Sequence, residues 1–169
     1  MALPEPVVGQ RLTADVLVEA GDWPGRAKLR RLVDAALTAA VDAARLPLAP
    51  AAEVSIVFTD DARVRSLNRR YRRKDMATNV LSFPAARADA RLIGPLLGDI
   101  VLAAETIATE ATAQGLALDD HVTHLIVHGF LHLLGFGHDR DDEATVMEGL
   151  ETAILARLGI ADPHAEQAG

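Results

Sequence analysis

Residues 128–138 read His128-Gly129-Phe130-Leu131-His132-Leu133-Leu134-Gly135-Phe136-Gly137-His138, and the spacing of the three histidines predicts a helix that carries a metal site. His128 and His132 are one helical turn apart, so their imidazoles project from the same face. His138 comes six residues after His132. A continued helix would carry it roughly 9 Å along the axis at ~1.5 Å per residue. Gly135 and Gly137 let the chain turn back instead, so His138 can approach the same point from another direction. Three neutral imidazoles with a fourth position open to water is the plan of a catalytic zinc site. One zinc ion per chain, held by His128, His132 and His138, is the expectation.

Neighbouring histidines sharpen the choice of ligands. At 100° per residue, His121, His124, His128 and His132 fall at roughly 60°, 0°, 40° and 80° on one helical wheel. A set of His124, His128 and His132 would spread along roughly 12 Å of helix, too far for one ion with ~2 Å Zn–N bonds. His124 is therefore expected beside the ligands or on the substrate side, and His121 facing solvent near the helix start. His164 lies in a polar tail. The frame also resembles the metzincin protease signature, with Gly135 in its glycine slot seven residues after the first histidine. Those proteases place a glutamate directly after the first histidine as general base. Here that residue is Gly129, which carries no proton acceptor, so peptide hydrolysis is a secondary reading.

Working outward, residues 1–10 read as a tail, residues 11–160 as one domain and residues 161–169 as a second tail. Residues 11–19 alternate as a first strand. Asp22 is expected to cap a helix with Pro24 in its first turn, and its apolar positions run to Leu46-Pro47. Residues 53–58 form a second strand, and Thr59-Asp60 opens a helix rich in arginine. Residues 77–83 and 98–102 read as two more strands. The irregular stretch between them, residues 84–97, is a flap near the site or a plain connection. A helix from Ala103 stops near Gly115. Asp119 or Asp120 is expected to cap the histidine helix, which buries Val122, Leu125, Ile126, Phe130 and Leu133. Asp139, Asp141, Asp142 and Glu143 load the start of a last helix, whose buried stripe is Met147, Leu150, Ile154 and Leu158. One of these acids, Asp141 above all, is a candidate to orient the ligand histidines. The fold class is α/β, or α+β: a small mixed sheet of about four strands packed with about five helices, with a zincin-like metal helix.

Composition narrows the chemistry. The 169 residues include no cysteine, so any metal site must use histidine and carboxylate. The start, Met-Ala-Leu-Pro-Glu-Pro, lacks the basic and apolar segments of a signal peptide, and no apolar run approaches the ~18 residues of a membrane span. A cytoplasmic protein with no membrane partner is expected. The net charge is −7, yet Arg63, Arg65, Arg69, Arg70, Arg72, Arg73 and Lys74 crowd one short stretch. Such a patch can bind a polyanion despite a negative total, because phosphate attraction acts over about a Debye length, ~8–10 Å. On a wheel, Val64, Leu67 and Tyr71 form the inner face of that helix, and the cations fill the rest.

The histidine run resembles the signature of the YbeY family of bacterial metal-dependent endoribonucleases. Two further blocks resemble that family in order and spacing. One is Leu67-Asn68-Arg69-Arg70-Tyr71-Arg72-Arg73-Lys74-Asp75 followed by Thr78-Asn79-Val80-Leu81-Ser82-Phe83-Pro84; the other is Leu97-Gly98-Asp99-Ile100. Two positions depart from the family's pattern: Phe136-Gly137 stands where Tyr-Asp is usual, and Arg73 where glycine usually follows the motif arginine. The resemblance implies that Arg72 is the active-site arginine, whose fixed fork suits a phosphate that gains charge in the transition state. Arg69, Arg70, Arg73 and Lys74 become candidates to hold RNA. It also implies single-stranded ribosomal RNA near the small-subunit 3′ end as substrate, in 16S rRNA 3′-end maturation and ribosome quality control. The implied partners are the small ribosomal subunit, ribosomal proteins and a GTPase, with no DNA. Two other classes remain open: a metallopeptidase of altered mechanism, and a non-enzymatic assembly factor in which Asp141 or His124 closes a structural metal site.

Overall fold

Strands β1 (Leu12–Val18), β2 (Ala52–Thr59), β3 (Val80–Pro84) and β4 (Leu96–Ala103) form one sheet in the order β1-β2-β4-β3. This is a computed structural model that describes residues 12–45, 47–85, 93–137 and 140–163. The first, second and fourth strands run parallel, and β3 lies antiparallel at the edge. Among the described residues, five helices pack on this sheet: α1 (Arg26–Ala44), α2 (Asp61–Arg72), α3 (Ala104–Gln114), α4 (Leu118–Leu133) and α5 (Asp141–Arg157). The expected α/β class, mixed four-stranded sheet and five helices are all present.

Alternation along the strands sends two sets of side chains to two faces. Leu12, Ala14, Val54, Ile56, Phe58, Ile100 and Leu102 join α1, α4 and α5 in the main core. Leu81, Val101 and Ala103 face the other way and meet Val64 of α2 in a smaller cluster. The histidine helix lies in the centre of the main layer, packed against α1, α3, α5, β3 and β4. Its expected core residues, Val122, Leu125, Ile126, Phe130 and Leu133, are all buried.

Several boundaries move for identifiable reasons. Asp22 does not cap α1: the helix starts at Arg26 after Gly25. The indole of Trp23 donates to the carbonyls of Ala20 (3.0 Å) and Thr59 (3.1 Å), which ties residues 20–23 to the end of β2. That anchor overrides the local preference for Pro24 in a first turn. Ala117, not Asp119 or Asp120, occupies the cap of α4, and both acids fall in its first turn, where Asp119 pairs with Lys28 of α1 at 2.8 Å. The third strand begins at Val80 rather than residue 77, because residues 73–79 form the loop that leads α2 into it. Of the irregular stretch, residues 86–92 lie outside the described residues, while its last part is already β4. Its described ends are fastened, Ala85 N–H to the Leu97 carbonyl at 3.1 Å and Ile93 N–H to the Pro47 carbonyl at 2.9 Å.

Helix α2 begins as expected, with the Asp60 carboxylate accepting from the Arg63 N–H at 2.9 Å. It ends at Arg73, whose φ of 56° is left-handed, a conformation that costs a residue with a Cβ about 1–2 kcal/mol. Glycine avoids that steric cost, though its freer unfolded chain offsets part of the gain. Arg73→Gly is therefore expected to raise unfolding free energy by about 0.5–1 kcal/mol, measured by urea denaturation.

Candidate metal centre

The site begins with a close approach. Gly129 is buried in the middle of α4, and an added Cβ would lie 2.8 Å from the Ile100 Cγ2 and 3.1 Å from the Ser82 hydroxyl. The helix thus rests directly on β3 and β4, and the Ser82 hydroxyl donates to the Gly129 carbonyl at 3.0 Å. The Ser82 carbonyl in turn accepts from the Arg72 Nη2 at 2.6 Å, and the same guanidinium lies 5.6 Å from the centre of the Phe83 ring. Ser82 therefore couples the arginine at the end of α2 to the histidine helix. A glutamate at position 129, the general base of the protease pattern, has no room between α4 and the sheet.

His128 and His132 open into a cleft of about 460 Å³ whose lining also includes Arg72, Lys74, Asn79 and Ser82. The Nε2 atoms of His128 and His132 are 3.1 Å apart. A single ion at ~2 Å per Zn–N bond can touch two nitrogens up to ~4 Å apart, so this pair fits one cation. Behind His128 lies Glu151 of α5, only 1% exposed. Its carboxylate contacts His128 Nδ1 and, at 3.2 Å, His124 Nε2. Burial alone would raise the Glu151 pKa. Hydrogen bonds from His124 and His128, with the charge on those rings, outweigh burial and hold the carboxyl well below the usual carboxylate range. A carboxylate on Nδ1 fixes the His128 tautomer and turns its other nitrogen toward the cleft. His124, His128 and Glu151 also bring three potential ligand atoms within 4.8 Å of one another, so the cluster offers donors for a metal on either side of His128.

The structure brings together His128, His132, Arg72 and Lys74 from separate parts of the chain. His138 lies outside the described residues. His124 sits beside Glu151, next to the expected ligand His128. Two expectations about orientation need correction. His121 does not face solvent: it is 5% exposed, and its Nε2 meets the Glu110 carboxylate of α3 at 2.9 Å, because α3 packs over that flank of α4. Asp141 is exposed in the first turn of α5, and among the described residues the carboxylate that reaches His124 and His128 is Glu151. Sequence reading missed Glu151, although it falls between Met147 and Ile154 on the buried side of α5, where an acid among apolar residues is the available signal. Of the other cations, Arg70 lies over the Tyr71 ring at 5.3 Å, while Arg69, Arg70 and Arg73 are exposed and are not among the described lining of the cleft.

The loop that walls the cleft is held at both ends. Buried Asn68 donates from Nδ2 to the Met76 carbonyl at 3.0 Å. Asn79 donates from Nδ2 to Glu110 at 3.0 Å, and its carbonyl accepts from Ala103 at 3.0 Å.

Fold and site together define a single α/β domain that sets a histidine and carboxylate cluster beside an arginine-lined cleft. The chain matches the family model described as Endoribonuclease YbeY over residues 22–159. The Endoribonuclease YbeY of Rhizobium meliloti (strain 1021) is 52% identical over 162 residues, covering 92% of this chain and 96% of that relative. That of Rhizobium johnstonii (strain DSM 114642 / LMG 32736 / 3841) is 48% identical, covering 92% and 95%. A solution structure of a Thermotoga maritima protein superposes with a TM-score of 0.54 at 18% identity, covering 89% of this chain and 97% of that one; this likeness concerns the fold. The chain belongs to the endoribonuclease YbeY family.

Two expectations test this geometry. Gly129→Val should lower unfolding free energy by about 3 kcal/mol through overpacking against Ile100 and Ser82, read by urea denaturation. Glu151→Gln should remove a pH-dependent part of stability. Because the folded pKa of Glu151 is depressed, its contribution is complete above about pH 5 and fades as pH falls through the ordinary carboxylate value, ~4.3, toward the folded one. The stability gap between wild type and Glu151→Gln should thus be widest near neutrality and close in acid. A gap independent of pH would contradict the assignment.

Proposed function

We propose that this protein is a cytoplasmic, zinc-dependent endoribonuclease that cuts single-stranded ribosomal RNA in 16S rRNA 3′-end maturation. The observation that carries this reading is the convergence of Arg72, Lys74, His128 and His132 on one cleft. Family membership supports RNA as the substrate class, since the relatives are named endoribonucleases. His128, His132 and His138 would hold one zinc ion, His138 by virtue of its spacing after Gly135 and Gly137. Zinc in such a site supplies a Lewis acid for a phosphoryl oxygen and lowers the pKa of water.

The remaining work falls to the chain's own residues. Arg72 spends one of its five N–H groups on Ser82, and the other N–H groups can hold the scissile phosphate as its charge grows. Lys74 adds a second positive charge to the same wall. Glu151 keeps the His128 ring in one tautomer and one orientation. Gly129 provides no base, so proton removal from the nucleophile falls to another group. The ribosomal subunit, a ribosomal protein and a GTPase are the partners this reading implies.

Ribosomal RNA incubated with zinc-loaded protein, with both ends of each product sequenced, tests the proposal. Wild type should yield discrete cuts. A terminal 2′,3′-cyclic phosphate would identify the RNA 2′-hydroxyl as nucleophile, and a 5′-phosphate would identify water. His132→Ala should lose both bound zinc and cleavage. Arg72→Ala should keep zinc and lose about 10²–10³-fold in kcat, with partial recovery in Arg72→Lys. Full cleavage by Arg72→Ala would remove the phosphate role from this residue.

A further inference from the structure

Asn79 lines two cavities at once. One is the cleft of Arg72, His128 and His132; the other, about 290 Å³, lies between α3, α4 and the chain that leaves α5. His124 lines the second cavity, and its ring is 6.3 Å from that of His128. The two spaces are therefore neighbours along the same helix.

Their chemistry differs. Arg72 and Lys74 line the first, whereas no lysine or arginine is among the described lining of the second. Leu116, Leu125, Leu155 and Ile160 give the second cavity apolar walls, and Asp120 and Asp162 give it carboxylates. A phosphate would be repelled there. A flat, uncharged ring with N–H groups at its edge would be accepted, because apolar side chains cover its faces and carboxylates accept its protons. Glu110 is already engaged by Asn79 and His121, and Asp162 accepts from Thr152 at 3.1 Å. Asp120 is exposed in the first turn of α4, and Leu116, 41% exposed, stands at the mouth.

We infer that this second cavity seats the base of a nucleotide adjoining the phosphate held in the cleft, and that it favours bases with an exocyclic amino group over uracil. The inference rests on the reading of the cleft as an RNA site. Cytosine, adenine and guanine can each direct an amino group at Asp120. Uracil offers a single N3–H flanked by two carbonyl oxygens that a carboxylate repels, and gains less.

Fluorescence anisotropy with the zinc-loaded full chain tests this, using 2′-O-methyl tetracytidylate and tetrauridylate checked by electrophoresis to remain intact. Wild type should bind the cytidine oligomer about tenfold more tightly, a difference typical of one good hydrogen bond to a charged group. Leu116→Trp, which fills the mouth, and Asp120→Ala should each bring the ratio to within about twofold of one, mainly by weakening cytidine binding. A wild-type ratio near one, or a ratio that survives both substitutions, overturns the subsite. The two readings fail separately. A preserved ratio in a protein that never cuts RNA removes the nuclease activity and keeps the subsite. Cleavage without any ratio does the reverse.

Discussion

The distance between α4 and the edge of the sheet governs the whole site, and Gly129 sets it. With hydrogen in place of a side chain, the helix backbone reaches the Ser82 hydroxyl and the Ile100 methyl group. That contact brings His128 and His132 over β3, where the carbonyl of the same Ser82 holds Arg72. The stretch from Arg72 to Ser82 and helix α4, far apart in the chain, meet through one small residue. The same contact gives position 129 a packing role, which accounts physically for the loss of the protease-like pattern at this point.

Glu151 supplies the second constraint. A row of imidazoles on one helix face has no preferred tautomer by itself, since each ring can carry its proton on either nitrogen. A buried carboxylate that meets His128 at Nδ1 and His124 at Nε2 removes that freedom. The desolvation of the carboxylate is offset by hydrogen bonds from both rings. The arrangement is the carboxylate–histidine pairing that raises ligand basicity and orients metal-binding rings. It is built from α4 and α5, so packing between these two helices determines the direction of His128.

Charge works locally rather than through the total of −7. Within the basic stretch, Arg65 is tied to Asp75 at 2.8 Å, and Arg70 lies over Tyr71. Arg72 and Lys74 are the members of the stretch that line the cleft. The family's usual glycine after the motif arginine also becomes intelligible, because that position, Arg73 here, is the left-handed end of α2. A backbone requirement, rather than an interaction of its side chain, explains the preference.

Local chemistry was legible wherever a pattern and its cause lie within one or two turns of chain. The His128/His132 spacing, the Asp60 cap, the Gly115 end of α3 and the buried stripe of α4 are all of this kind, since helical geometry alone relates neighbours three or four residues apart. Gly135, with φ of 104° after the last turn of α4, belongs with them. What folding decided is which distant groups meet. Glu151 rather than Asp141 reaches His124 and His128 because α5 meets α4 well beyond its own first turn. His121 is buried because α3 covers it with Glu110, and Trp23 displaces the start of α1 by reaching the carbonyl of Thr59. None of these pairings leaves a periodic trace in the chain. Residue order determined the chemical groups and the helix that presents them. Packing of α3, α4 and α5 against the sheet decided their partners, because burial and hydrogen-bond satisfaction act between segments that spacing along the chain does not relate.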